Sequence, residues 1–146
     1  EISSLVSCDV IAASYPLIDQ SKSKRKGTVM NLDNAVETHA QWKTKLRTAI
    51  AKREQLDVVT LSRDDCCELG EWLYGPGGAR YGKLAAHADC VHKHKVFHAE
   101  VSKVAKAVNA QKFDAADSML NSGTAYAKAS SDLSVSFLRL RKEAGI

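Results

Sequence analysis

The sequence has little proline, few aromatic side chains and no long apolar run, and each shortage excludes something. Only Pro16 and Pro76 interrupt the 146 residues, so long helices meet few obligatory breaks. Aromatic residues make up 6%. With so few stacking surfaces, the basic cluster KSKRK, Lys22 to Lys26, reads as a solvated loop, with neither nucleic acid nor direct membrane contact expected. No stretch is long and apolar enough to span a bilayer, and nothing resembles a signal peptide. Four cysteines, Cys8, Cys66, Cys67 and Cys90, two of them adjacent, make a poor disulfide framework. The expectation is a cytoplasmic protein with reduced thiols. The glycine-rich word Gly75 to Gly78 (GPGG) lacks the Gly-Lys-Ser/Thr ending that cradles phosphate, which argues against nucleotide binding.

What remains is ordinary globular material. Apolar residues are 45% and charged residues 26%, enough for one core at this length. The chain opens on Glu1 rather than Met, and the expectation is a piece of a longer or processed protein. Residues 1–28 read as an N-terminal arm or linker of uncertain structure, and residues 29–146 as a helical domain. From about Thr28, Leu32, Val36, His39, Lys43, Leu46 and Ile50 recur at spacings of three and four, with Ala35, Trp42 and Ala49 beside them. Asp57 to Thr60 reads as a break. Ser62 to Asp65 loosely matches a capping box, opening a short helix from about Arg63 to Tyr74 that the glycines end. A further helix is expected from about Tyr81, with a break near His87, to Ala110. After a tight junction at Gln111 and Lys112, a last helix runs from Phe113 to about Arg141, its seam Met119, Tyr126, Leu133, Phe137 and Leu140. The fold class is all-α: a four-helix bundle with an additional short helix.

Histidine is concentrated where it should be scarce. The stretch VHKHKVFHAEV holds His92, His94 and His98, three of the five in the chain. Val91, His94, His98, Val101, Ala105 and Val108 step by three and four, so His94 and His98 fall on the core seam one turn apart. His92 falls off it, toward solvent. His39 replaces an apolar residue on the first helix. Three imidazoles on apolar seams are costly unless something satisfies them. A metal does so, because neutral imidazole is a zinc ligand and an i, i+4 pair supplies two corners of a tetrahedron. His39 offers a third corner. A thiol of the short helix offers the fourth, and spacing does not choose between Cys66 and Cys67. His87, seven residues before His94, is a rival ligand that a break before Val91 would turn away.

The words HAQWKTKL, His39 to Leu46, and CELGEWL, Cys67 to Leu73, followed by a His-x-x-x-His pair, resemble the signature of the chemoreceptor zinc-binding (CZB) family over about Leu32 to Leu140. The resemblance implies Zn2+ ligands at His39, Cys67, His94 and His98, a four-helix core and a homodimer. Cys66 is then a bystander, and Cys8 and Cys90 have no assigned role. Gly70, without a side chain, would let another helix or the metal site approach closely. Trp42 and Trp72 read as core packing that also keeps water off the site. Asp64 and Asp65 read as helix N-terminal charges or as outer partners of the imidazoles.

With four protein ligands no position stays open for a reacting water, and neither a His-Glu-x-x-His word nor a catalytic triad is recognisable, so no enzyme is expected. Too few carboxylates face inward for a di-iron bundle. The resemblance favours a regulatory domain attached to a bacterial chemoreceptor, sensing hypochlorous acid or zinc through Cys67 and passing the change to a signalling domain of the same polypeptide. The alternatives are a zinc-responsive regulator of a diguanylate cyclase, a zinc-stapled structural module, and a metal-free interaction module.

Overall fold

In the computed structural model the described residues are 32–146. The expectations for residues 1–28, including Lys22 to Lys26 and Cys8, lie outside them. Within this range the chain is entirely helical, in seven helices: α1 (Leu32–Lys52), α2 (Val58–Ser62), α3 (Glu68–Tyr74), α4 (Pro76–Tyr81), α5 (Ala85–Asn109), α6 (Phe113–Ser118) and α7 (Ala125–Ala144). α1, α5 and α7 are the long members of the bundle, and the short helices build its remaining side. No helix among them is long and apolar enough to cross a membrane.

α1 buries Ala35, His39, Trp42, Leu46 and Ala49, an alternation of four and three. The centre of this seam lies slightly round the helix from the expected one. Small Ala35 and Ala49 face inward, whereas Lys43 stays exposed because its ammonium would need a partner in the core. α5 and α7 pack along much of their lengths, with Phe97 against Tyr126 at a ring-centroid distance of 5.7 Å and Cys90 beside Ser136. Arg47 reaches Asp117 at 3.2 Å and ties α1 to α6, and Arg141 pairs with Asp33 between the ends of α7 and α1.

Four boundaries differ from the sequence expectation, each for a local reason. The break comes earlier than expected, at residues 53–57, and Asp57 closes it. It caps α2 by accepting from the Thr60 amide at 3.2 Å and the Thr60 hydroxyl at 2.7 Å. Ser62 therefore ends a helix, and the Ser62 to Asp65 capping box does not form. The glycine word does not simply end α3, because Pro76 sits in the first turn of α4, where its missing N–H costs nothing. α5 starts at Ala85 and runs unbroken through His87 and Val91. The expected last helix is two, with a turn between them in which Gly123 takes φ 82° and the fully buried Leu120 joins the core. The Gln111 junction is a tight turn at φ 61°.

Asn109, the last residue of α5, holds the chain that leads into α2. Its side-chain oxygen accepts from the Leu56 amide and its nitrogen donates to the Leu56 carbonyl, both at 2.8 Å. α2 is thereby fixed against α5 just before the segment that carries Cys67.

Candidate metal centre

Three helices deliver four donor side chains to one point. His39 comes from the middle of α1, His94 and His98 from successive turns of α5, and Cys67 is the N-cap of α3. Their ligand atoms all lie within 4.8 Å of one another. His94 Nε2 is 3.2 Å from His39 Nε2 and 3.1 Å from His98 Nε2. Cys67 Sγ is 3.2 Å from His94 Nε2, 3.6 Å from His98 Nε2 and 4.0 Å from His39 Nε2. A tetrahedral zinc with Zn–N near 2.05 Å and Zn–S near 2.3 Å needs edges of about 3.3 Å between nitrogens and about 3.6 Å between nitrogen and sulfur. The two nitrogen–nitrogen edges fall just under that value, and the nitrogen–sulfur edges, 3.2–4.0 Å, bracket theirs.

The hydrogen bonds behind the imidazoles show which ring atoms face inward as bare donors. His39 Nδ1 donates to the Ala35 carbonyl at 2.7 Å, and His98 Nδ1 donates to the Leu61 carbonyl at 3.0 Å. A carbonyl only accepts, so each Nδ1 carries the hydrogen and each Nε2 points a lone pair into the cluster. Converging lone pairs repel unless a cation sits among them. His94 Nδ1 is buried with no partner. Phe97 stands edge-on to His39 and His98, at centroid distances of 5.4 and 5.7 Å, and walls the site on the core side.

Electrostatics prepare the same donor set. Burial lowers the His39 pKa to about 4, only partly opposed by the Ala35 hydrogen bond. Burial, with His98 and His39 close by, lowers that of His94 to about 2. His98 is lowered by burial as well, with the Leu61 hydrogen bond and the carboxylates of Asp64 and Asp65 pulling the other way. All three rings are neutral near pH 7, the form that ligates a metal. Burial pushes the Cys67 thiol up to about 12, against the pull of the Gly70 and Leu69 amides. Its thiolate therefore needs a neighbouring cation, which a zinc ion among the three imidazoles supplies. The residues fit the ion by geometry, by donor chemistry and by protonation state.

The other candidates fall elsewhere. His92 is exposed. His87 is buried on α5 but points away from the cluster, donating from Nε2 to the Leu73 carbonyl at 2.8 Å. What removes it as a ligand is the two-turn separation from His94 together with this hydrogen bond, and not a break in the helix. Cys66 lies outside the cluster, while Cys67 and Cys90 are free thiols. Asp65 pairs with Arg63 at 3.0 Å and Asp64 accepts from the Tyr74 hydroxyl, so backbone carbonyls take the Nδ1 hydrogens of His39 and His98 instead. Trp42 is buried in the core, and Trp72 is half-buried against Tyr81.

Gly70 admits a close approach, though from neither a helix nor the metal site. A Cβ there would lie 1.9 Å from the Asp64 carbonyl oxygen, on the segment that leads into Cys67. The Gly70 amide also donates to Cys67 Sγ at 3.4 Å. Gly70→Ala must push that backbone outward. The expected result is a loss of about 1–3 kcal/mol in stability, read by thermal melting, as for other overpacked sites. Zinc affinity, read by chelator competition, should fall with it.

The described bundle and its centre define a helical domain with a His3Cys donor set of the kind that takes zinc. The comparison with family models points the same way. Residues 39–105, which include all four donors, match the model of the chemoreceptor zinc-binding domain, CZB, and the match supports that family. No curated protein and no solved structure matches the chain.

Proposed function

We propose that this chain is a zinc-binding regulatory domain of a bacterial chemoreceptor, acting in the cytoplasm as a homodimer and responding to hypochlorous acid through Cys67. The observation that carries the reading is the convergence of His39, Cys67, His94 and His98, with the bare nitrogens of His39 and His98 facing the sulfur. The family match supports the zinc and receptor parts. Four side-chain donors leave no open position for a reacting water, which supports a regulatory and not a catalytic role.

Zinc, when bound, keeps the Cys67 sulfur a thiolate. Cys67 is the one sulfur in the set and is less buried than the three imidazoles, so it is the donor that an oxidant meets first. The thiolate and hypochlorous acid give a sulfenic acid and chloride, the sulfur losing the two electrons that chlorine gains. A sulfenic acid is a weaker donor than a thiolate. Its helix, α3, is seven residues long, and the sulfur is the tie between its start and the imidazoles.

The test is titration of the zinc-loaded domain with hypochlorous acid. Expected are a one-oxygen mass gain on Cys67, trapped with a sulfenic-acid reagent, and a change in amide hydrogen exchange across residues 63–75. Oxidation elsewhere with Cys67 untouched would leave zinc as a structural staple.

A further inference from the structure

Of the five histidines, His87 is the buried one that the centre does not use. It lies near the start of α5, and its Nε2 donates to the Leu73 carbonyl at 2.8 Å. Leu73 is fully buried and lies in the last turn of α3. Its oxygen is also closely overlaid by α4, since a Cβ at Gly78 would lie 2.7 Å from it and 3.8 Å from His87 Nε2. His87 therefore sits under the α3–α4 junction as the side-chain donor to a buried carbonyl.

α3 and α5 run in opposite directions along each other. Cys67, at the start of α3, meets His94 and His98, while Leu73, near its end, meets His87. Six residues of α3 span about 9 Å, and the seven from His87 to His94 span about 10.5 Å. Two fixed points on one rigid helix thus set the register of a short one. The far point is His87 and the near point is the metal centre.

We propose that His87 is a positioning residue for Cys67: by holding the Leu73 carbonyl it fixes α3 along α5 and so places the sulfur at the three imidazoles. It touches neither the metal nor the sulfur and acts through the helix. When the sulfur is released, α3 stays tethered at Leu73 and swings about that point instead of detaching. This rests on the zinc reading above.

The experiment compares wild type, His87→Leu and His87→Gln, the last keeping an N–H donor at a similar reach. Zinc affinity is read by chelator competition. Cys67 ligation is read separately from the sulfur-to-metal charge-transfer absorbance of the cobalt(II) form. Amide exchange is followed at residues 68–74 and 101–108. In His87→Leu zinc affinity should fall by up to about tenfold, the most that the net contribution of one hydrogen bond supplies. The sulfur band should weaken while cobalt stays bound by the imidazoles, and exchange should rise at 68–74 but not at 101–108. His87→Gln should recover most of each effect.

An unchanged sulfur band and affinity in His87→Leu would overturn the proposal. So would a uniform rise in exchange, which marks general destabilisation, or a glutamine variant as impaired as the leucine one. If His87→Leu does not fold, His87→Gln decides, with near-wild-type affinity expected and a tenfold loss refuting the donor role. Wild type that binds no zinc would instead sink the function proposed above, and exchange at 68–74 in the metal-free variants would still judge the clasp.

Discussion

Replacing Cys67 with alanine is expected to lower zinc affinity by more than about 100-fold, because losing even an outer partner of a ligand costs 10–100-fold. Cys67 Sγ is 3.2–4.0 Å from all three imidazole nitrogens. It is also the donor that makes the set anionic, so its loss removes both a corner and the charge opposing the cation. Cys66→Ala should leave affinity essentially unchanged, since Cys66 lies outside the donor cluster. Metal content by elemental mass spectrometry, with chelator competition for affinity, separates the two. Equal zinc in wild type and Cys67→Ala would refute a His3Cys centre.

Removing zinc should lower thermal stability and make the domain acid-sensitive. A ligand present at about 1,000 times its Kd stabilises by about 4 kcal/mol, which corresponds to a fall in Tm of roughly 10–20 °C on removal for a domain of this size. The metal-free protein then carries three buried neutral imidazoles. Their folded pKa values lie below 6.5, so between that value and the lowered ones the unfolded chain binds more protons than the folded one. Stability is therefore full above about pH 6.5 and falls as pH drops toward about 4 and below. His39 alone, moved from 6.5 to about 4, accounts for roughly 3 kcal/mol of this loss. In the zinc form protons must also displace the ion from Cys67 and the imidazoles, so zinc release should accompany acid unfolding. Circular dichroism melts with and without chelator, from pH 8 to 4, measure both effects. A metal-free domain equally stable at pH 8 and pH 5 would contradict the burial of these rings.

The long helices and their inward histidines were legible in the sequence because a seam repeating every three or four residues is local information. His94 and His98 share a face by spacing alone, and so does the bond from His39 to the carbonyl four residues before it. Boundaries were less legible where one residue changes role with context. Asp57 was read as opening a break and instead closes one as a cap, and the glycine word was read only as an end, although Pro76 within it starts a helix. The Leu61 carbonyl behind His98 is 37 residues away in sequence, and no local pattern announces it.

By itself the sequence determined an all-helical chain with three imidazoles on seams that should be apolar, a nearby pair of thiols, and words that resemble one zinc-binding family. The tertiary structure decided which thiol joins them, because the segment between α2 and α3 crosses Gly70 and delivers Cys67, not Cys66, to the point where α1 and α5 meet. It also decided the fate of His87. Spacing made His87 a rival ligand, whereas the antiparallel docking of α3 on α5 sets a buried carbonyl against its ring. Periodicity fixes which way a side chain faces, but what it meets there depends on how separate helices pack.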